Sequence, residues 1–275
     1  MLKEESLLER IAYRLVKKHI SGTTMSSALS KAKELNKRNL LASITFLANK
    51  PENKAKAKYV TTTYLELIRQ VSRHGLRASV HVPLEQLTYD GDTKLEQENE
   101  LAIRETARKY GVFVWFELNG VLPEQIQSIE QYRGCGIALD EASAVEYLRK
   151  YGNSKAIKVI FGEANIKKNA GKKAGDRNID YICGKAGNAV LSHMPESRLW
   201  PMLKNGSKYK KSAIFEFGMG YSRKKINKAI KKGARVSLSV PFGKDWAGYA
   251  ANNVSEGYMR FIVGNLLKED TKRGK

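Results

Sequence analysis

The sequence predicts a (βα)8 barrel of the TIM type, an α/β fold, with N-terminal helices packed on it. Three observations carry this expectation. The chain has 275 residues, close to the roughly 250 that one such barrel uses. Eight short β-type apolar runs recur along it. Each segment between consecutive runs has apolar residues at three- and four-residue spacing, the mark of an amphipathic helix. A composition of 42% hydrophobic and 28% charged residues excludes a disordered tail, a collagen or a disulfide scaffold and allows a substantial core.

In chain order the predicted strands are 41–47 (LASITFL), 77–82 (RASVHV), 112–118 (VFVWFEL), 135–139 (CGIAL), 156–161 (AIKVIF), 188–192 (NAVLS), 213–217 (AIFEF) and 235–240 (RVSLSV). Most read as apolar-rich rather than strictly alternating, as parallel strands buried on both faces do. The predicted helices between them are 54–72, 92–109, 122–131, 143–151, 176–184, 196–203 and 223–232. In the last, Ser222 and Gly233 read as N-cap and C-terminal stop. Two helices precede the first strand, at 7–19 and 25–36, the second with an Ala28, Ala32, Leu35 stripe. The expected division is an N-terminal helical segment (1–37), the barrel (38–268) and a basic tail (269–275).

The charge is unusual. Forty-nine Lys and Arg against 28 Asp and Glu give +21, which makes anionic partners plausible through long-range attraction. The excess is local: the predicted helix 223–232 presents Lys224, Lys225, Lys228, Lys231 and Lys232 outward and Ile226, Ala229 and Ile230 inward. Such a face suits nucleic acid or another acidic surface, or simply water. Two cysteines, Cys135 and Cys183, and a start without an apolar signal core point to the cytoplasm. No apolar run is long enough to span a membrane.

In a barrel of this kind, chemistry belongs at the carboxyl ends of the strands. The polar residues placed there are Thr45, His81, Glu117, Asp140, Glu163, His193, Glu216 and Ser239. Glu216, between two phenylalanines, also reads as a buried carboxylate held by a backbone or lysine partner. Metal-binding spacings such as H-x-H or H-E-x-x-H are absent, as are a P-loop and a serine nucleophile elbow, so no metal is expected.

The last quarter is more specific. AIFEFGMGYS at 213–222 and GARVSLSVPFGKDWAGY at 233–249 resemble the end of the proline dehydrogenase barrel, with its F-E-F-Q-M-L-Y-G strand, R-V-Y-V-P-Y-G strand and D-W-x-x-Y-x-x-R-R helix start. Phe215, Glu216, Phe217, Met219, Val236, Pro241, Gly243, Asp245, Trp246 and Tyr249 carry the match. Weaker echoes lie in VFVWFELNG, GIAL, KVIFG, Asp180–Tyr181 and VLSH, so the resemblance covers about residues 38–268. It implies FAD at the barrel mouth and oxidation of proline, or a related amino acid, to pyrroline-5-carboxylate.

Carried over residue by residue, the resemblance implies a remodelled site. On the substrate side, the family's arginine pair falls on Asn252 and Asn253, its proline-facing tyrosine on Ser239 and its third-strand aspartate on Glu117, while Tyr249 is kept. On the flavin side, the second-strand lysine falls on His81, the fourth-strand glutamine on Asp140, the fifth-strand lysine on Phe161 and the seventh-strand glutamine on Gly218. Glu216 is kept, and so is His193 of the sixth-strand T-H-N pattern, with Ser192 and Met194 beside it. Each charge-assisted bond is worth ~1.5–3 kcal/mol, so loss of the arginines implies proline binding weaker by ~10²–10⁴-fold. The alternative is a barrel without catalysis that acts as a binding module.

Overall fold

Side chains alternate along a strand, and here the two sets differ in chemistry. The set facing the helices is uniformly apolar: Ala42, Ile44 and Phe46 on one strand, Val80 and Val82 on the next, Val114 and Phe116, Ile137 and Leu139, Ile157 and Val159 after them. Burying that face against amphipathic helices is the main driving force for the fold. The computed structural model describes residues 13, 17–118, 134–161, 172–205 and 213–246.

The strands are β1 (Leu41–Phe46), β2 (Ala78–Pro83), β3 (Val114–Glu117), β4 (Cys135–Asp140), β5 (Ser154–Ile160), β6 (Ala186–Ser192), β7 (Ala213–Phe217) and β8 (Arg235–Phe242). They pair in parallel in sequence order, and β8 returns to β1 to close the barrel, with Ser43 opposite Ser239 and Thr45 opposite Pro241. Seven α-helices lie among the described residues: α1 (Met25–Lys37), α2 (Lys54–Arg73), α3 (Thr93–Tyr110), α4 (Glu141–Tyr151), α5 (Lys172–Lys185), α6 (Glu196–Asn205) and α7 (Arg223–Lys231). The expected (βα)8 barrel is therefore present. The predicted helices 7–19 and 122–131 fall wholly or mostly outside the described residues.

Local chemistry fixes the helix ends. Thr24, Asn53 and Asp92 accept from backbone N–H groups of the first turns of α1, α2 and α3, and Gly111 ends α3 at φ 66°. Ser222 has the backbone shape of an N-cap, but its side chain makes no capping bond. On α7, Ile226 and Ala229 are buried as expected, whereas Ile230 is 40% exposed.

The inner face of the barrel is graded along its axis. Toward the amino ends of the strands it is filled by Trp115, Ala156 and Val190, with Phe113 and Ile214 against them. Gly136 makes room for this plug, because a Cβ there would come 2.6 Å from the Trp115 ring. Toward the carboxyl ends the inward positions turn polar: His81, Glu117, Lys158, Ser192, Glu216 and Ser239. Trp115, Phe113, Val190 and Ile214 also line a second, more apolar cavity of about 310 Å³ at the amino ends.

Candidate active site

Lys158 organises the polar half. It projects inward from β5 with 2% of its side chain exposed and pairs with Glu216 of β7, equally buried, at 2.7 Å. Its Nζ also lies 2.8 Å from His81 Nδ1 and donates to Ser43 Oγ at 3.2 Å. An ammonium has three protons and no acceptor, so these three contacts use all its donors. They also set the imidazole: with Nδ1 accepting from Lys158, Nε2 carries the proton and donates to Glu117 Oε2 at 2.8 Å. On the other side, Ser192 Oγ donates to Glu216 Oε1 at 2.7 Å, across a directly paired position of β6 and β7. The chain Glu117–His81–Lys158–Glu216–Ser192 thus crosses the barrel interior without a break.

Charge balance holds these groups in their states. Burial raises the Glu216 carboxyl, but Lys158 more than offsets it, with His193 and Ser192 adding to the effect, and the group sits below its ordinary 4.5. Glu117 behaves alike: burial raises it, and the His81 hydrogen bond and nearby positive charges bring it below 4.5. His193 goes below 6.5, chiefly because burial disfavours its charged form. In all three the folded chain releases its proton more readily than the unfolded chain, so each contributes stability that is lost as pH falls. Glu100 on α3, raised to about 7 chiefly by burial, has the opposite sign and gains stability as pH drops from 7 toward 4.5. The expected denaturation midpoint therefore changes little between pH 7 and 5 and drops steeply below about 4.5, and in Glu100→Gln the loss begins near 6.5. Urea titrations at four pH values test this, and an unchanged midpoint at pH 4 would mean that the carboxylates are not held by the cations.

Above this network lies a cavity of about 360 Å³ at the carboxyl ends of the strands. Its wall includes Thr45, His81, Glu117, Lys158, Ser192, His193, Glu216 and Ser239, with Lys50, Glu85 and Asp245 at the lip. Seven sequence-expected residues, Thr45, His81, Glu117, Ser192, His193, Glu216 and Ser239, therefore meet around one space. His193 adopts φ 59° and lies against Gly218, where a Cβ would come 3.3 Å from its Cε1. Gly218 shapes the histidine's seat and is not part of the wall.

Two expectations are corrected. Phe161 does not take a flavin-side lysine's place in the barrel. It follows β5 with helix-side parity and packs in the outer core under the Arg198 guanidinium, 5.1 Å away, which is itself braced on Glu141 at 2.7 and 3.0 Å. The inward cation of β5 is Lys158. Asp140 does not line the cavity either. It caps α4, accepting from Ala142 and Ser143 backbone N–H groups at 2.9 and 3.2 Å. Glu163, Tyr249, Asn252 and Asn253 lie outside the described residues. Sequence reading missed Lys158 and Ser43, although a lysine amid AIKVI signals an inward charge that must have a partner.

Among the described residues, no group of three or more His, Cys, Asp or Glu could hold a metal ion, and no helix is long and apolar enough to cross a membrane. The basic face of α7 is partly engaged within the fold: Lys225 pairs with Glu196 and Lys228 sits over the Trp200 ring at 4.6 Å. These contacts match a solvated outer helix, and nothing supports nucleic-acid binding there.

A closed parallel barrel with a polar cavity at the strand C-termini defines a (βα)8-barrel protein with its candidate site there. No protein-family model matches the chain. It is 22% identical to proline dehydrogenase 1 of Bacillus subtilis strain 168, across 92% of this chain and 91% of that protein, and equally to proline dehydrogenase 1 of Bacillus subtilis subsp. natto. Crystal structures of proline utilization A share the fold. The one from Bdellovibrio bacteriovorus has a TM-score of 0.67 at 15% identity over 92% of this chain. The one from Bradyrhizobium japonicum has a TM-score of 0.66 at 14% identity over 93%. This chain spans about a third of each of those longer proteins, 32% in both cases. Over nine-tenths of its length the chain is similar to proline dehydrogenase, at an identity low enough to make the likeness a divergent one.

Proposed function

We propose that this barrel is a proline-dehydrogenase-like oxidoreductase that oxidises the carbon–nitrogen bond of proline or a related small nitrogen compound, with FAD as hydride acceptor. The observation that carries this reading is the convergence of His81, Glu117, His193 and Ser239 on one cavity at the strand C-termini. The likeness to proline dehydrogenase 1 over nine-tenths of the chain supports it.

The residues fit the ring of a flavin. His193, kept neutral by burial and seated on a glycine that leaves no side chain in its way, offers an uncharged hydrogen-bonding group to a planar heterocycle. FAD supplies the two-electron acceptor that no side chain provides. The protein's part is to bind and orient. Glu117 is held by the proton on His81 Nε2 and keeps 28% of its side chain exposed, so it can face the substrate nitrogen. Lys158 fixes the imidazole from behind. With a flavin bound there to take a hydride, the nitrogen lone pair would form the new C=N bond, and Glu117 would stabilise the positive charge left on nitrogen. Ser239, where the family has a tyrosine, leaves the wall less covered.

The test is spectroscopic. The purified protein, incubated with FAD and freed of excess, is expected to show flavin absorbance that bleaches without oxygen on addition of L-proline or pyrrolidine. A protein that neither carries nor takes up flavin overturns the reading.

A further inference from the structure

We infer that the amino end of the barrel holds a binding site of its own, for a small flat aromatic molecule whose one hydrogen-bonding group meets Ser237. This inference is independent of the oxidoreductase reading.

It begins with what the strands turn inward. Barrels of this kind fill their interior with layers of bulky branched side chains. In the amino half of this one several inward residues are small: Ser79 on β2, Gly136 on β4, Ala156 on β5 and Ser237 on β8. One large ring, that of Trp115, lies over Gly136 and packs with Ala156 and Val190, and it cannot also fill the β8, β1 and β2 side. What is left is the cavity of about 310 Å³, walled by Leu41, Ser79, Trp115, Val190, Ile214 and Ser237 among others. The strands aim these side chains inward whatever loop lies beyond them.

The wall has two chemistries. Trp115 and Phe113, with ring centroids 4.8 Å apart, make an aromatic corner that Leu41, Val190 and Ile214 extend. Such a corner favours a ring that can lie against an indole face or edge. On β8, Ser237 is 5% exposed and lines the same space. Among the described residues its hydroxyl has no hydrogen-bond partner, and neither has the hydroxyl of Ser79 or the amide of Asn188 at the rim. A buried hydroxyl left unpaired costs free energy, and a polar atom on the ligand removes that cost. A charged group would lose its water against indole and isoleucine, so the ring is an uncharged one. An apolar cavity of about 150 Å³ holds benzene; this one has room for two fused rings.

Calorimetric titration of the full chain with indole and with indene, its near-isostere without the N–H, tests the inference. Indole is expected to bind at one site per chain, about threefold or more tighter than indene, the worth of one net hydrogen bond. Ser237→Ala, which removes the hydroxyl and little else, should bring indole close to indene. Ser237→Leu should fill the space, weakening indole by about tenfold or more while the thermal midpoint of the free protein holds or rises. Ser239→Leu, two residues along β8 and on the wall of the other cavity, should leave indole binding unchanged. No binding of indole by the unsubstituted chain overturns the inference. So does an indole preference that survives Ser237→Ala, or binding that Ser239→Leu abolishes and Ser237→Leu spares, which would put the ring at the opposite end of the barrel.

Discussion

Lys158→Met is expected to lower the unfolding free energy by about 3–5 kcal/mol, the cost of leaving one member of a buried ion pair without the other. Methionine keeps most of the lysine's volume, so little of the loss comes from a cavity. What remains is Glu216, 3% exposed, with Ser192 as its one remaining neutral donor in the network. Glu216→Leu is expected to cost a similar amount by stranding Lys158 beside His81 and Ser43. The double substitution should cost far less than the sum, because replacing both charges by apolar groups removes the desolvation penalty together with the attraction. Urea denaturation of the four proteins measures this, and a double variant whose loss equals the sum of the singles would show that the two side chains are not coupled. Lys158→Met should also release the His81 ring, since the ammonium is what holds Nδ1 as the acceptor.

This network is also where sequence reading stopped short. The eight strands were legible because each has a continuous apolar set two residues apart, and strand positions came within about two residues of those observed. The barrel followed from counting. The inward set was less legible. In LASITF and RVSLSVPF polar residues recur at every second position, whereas AIKVI and AIFEF each carry one inward charge, which is alternation interrupted by apolar inward residues such as Trp115, Ala156 and Val190. Runs that look uniformly apolar at one end and alternating at the other average to neither pattern. Motif alignment then placed the family's fifth-strand lysine on Phe161, and the parity of the strand, inward at Lys158 and outward at Phe161, is what decides between them. Asp140 shows the same limit from another side. An aspartate at a strand end is equally a ligand group and a helix cap, and only the position of the Ala142 and Ser143 N–H groups separates the two. Fold is repeated along the chain, whereas a site is made of single residues from distant segments, such as Ser43 and Lys158, 115 positions apart.

Gly243→Ala is the second change expected to be severe, with a loss of about 2–6 kcal/mol. Gly243 belongs to the segment on which the sequence resemblance rests most firmly, and its backbone explains why no other residue would serve there. Its φ of 142° lies in a region that only glycine enters without strain, worth ~1–3 kcal/mol. A Cβ there would stand 2.3 Å from the carbonyl oxygen of Leu47, and backbone cannot move aside as a flexible side chain can, so overpacking adds ~1–3 kcal/mol. The site of the collision is the seam that closes the barrel: Leu47 N–H donates to Phe242 at 2.6 Å, Gly243 N–H to Gly22 at 3.1 Å and Ser21 N–H to Pro241 at 2.8 Å. Displacing Gly243 also displaces Asp245, which accepts from Asn49 N–H at 3.0 Å on the cavity lip. Gly75→Ala is the matched control. Its φ is also positive, at 56°, but a Cβ there meets nothing within 4 Å, so it should cost only ~1 kcal/mol. Thermal denaturation of both variants separates backbone strain from collision. Equal losses in the two would mean that β8 and β1 do not close on one another through Gly243 and Leu47.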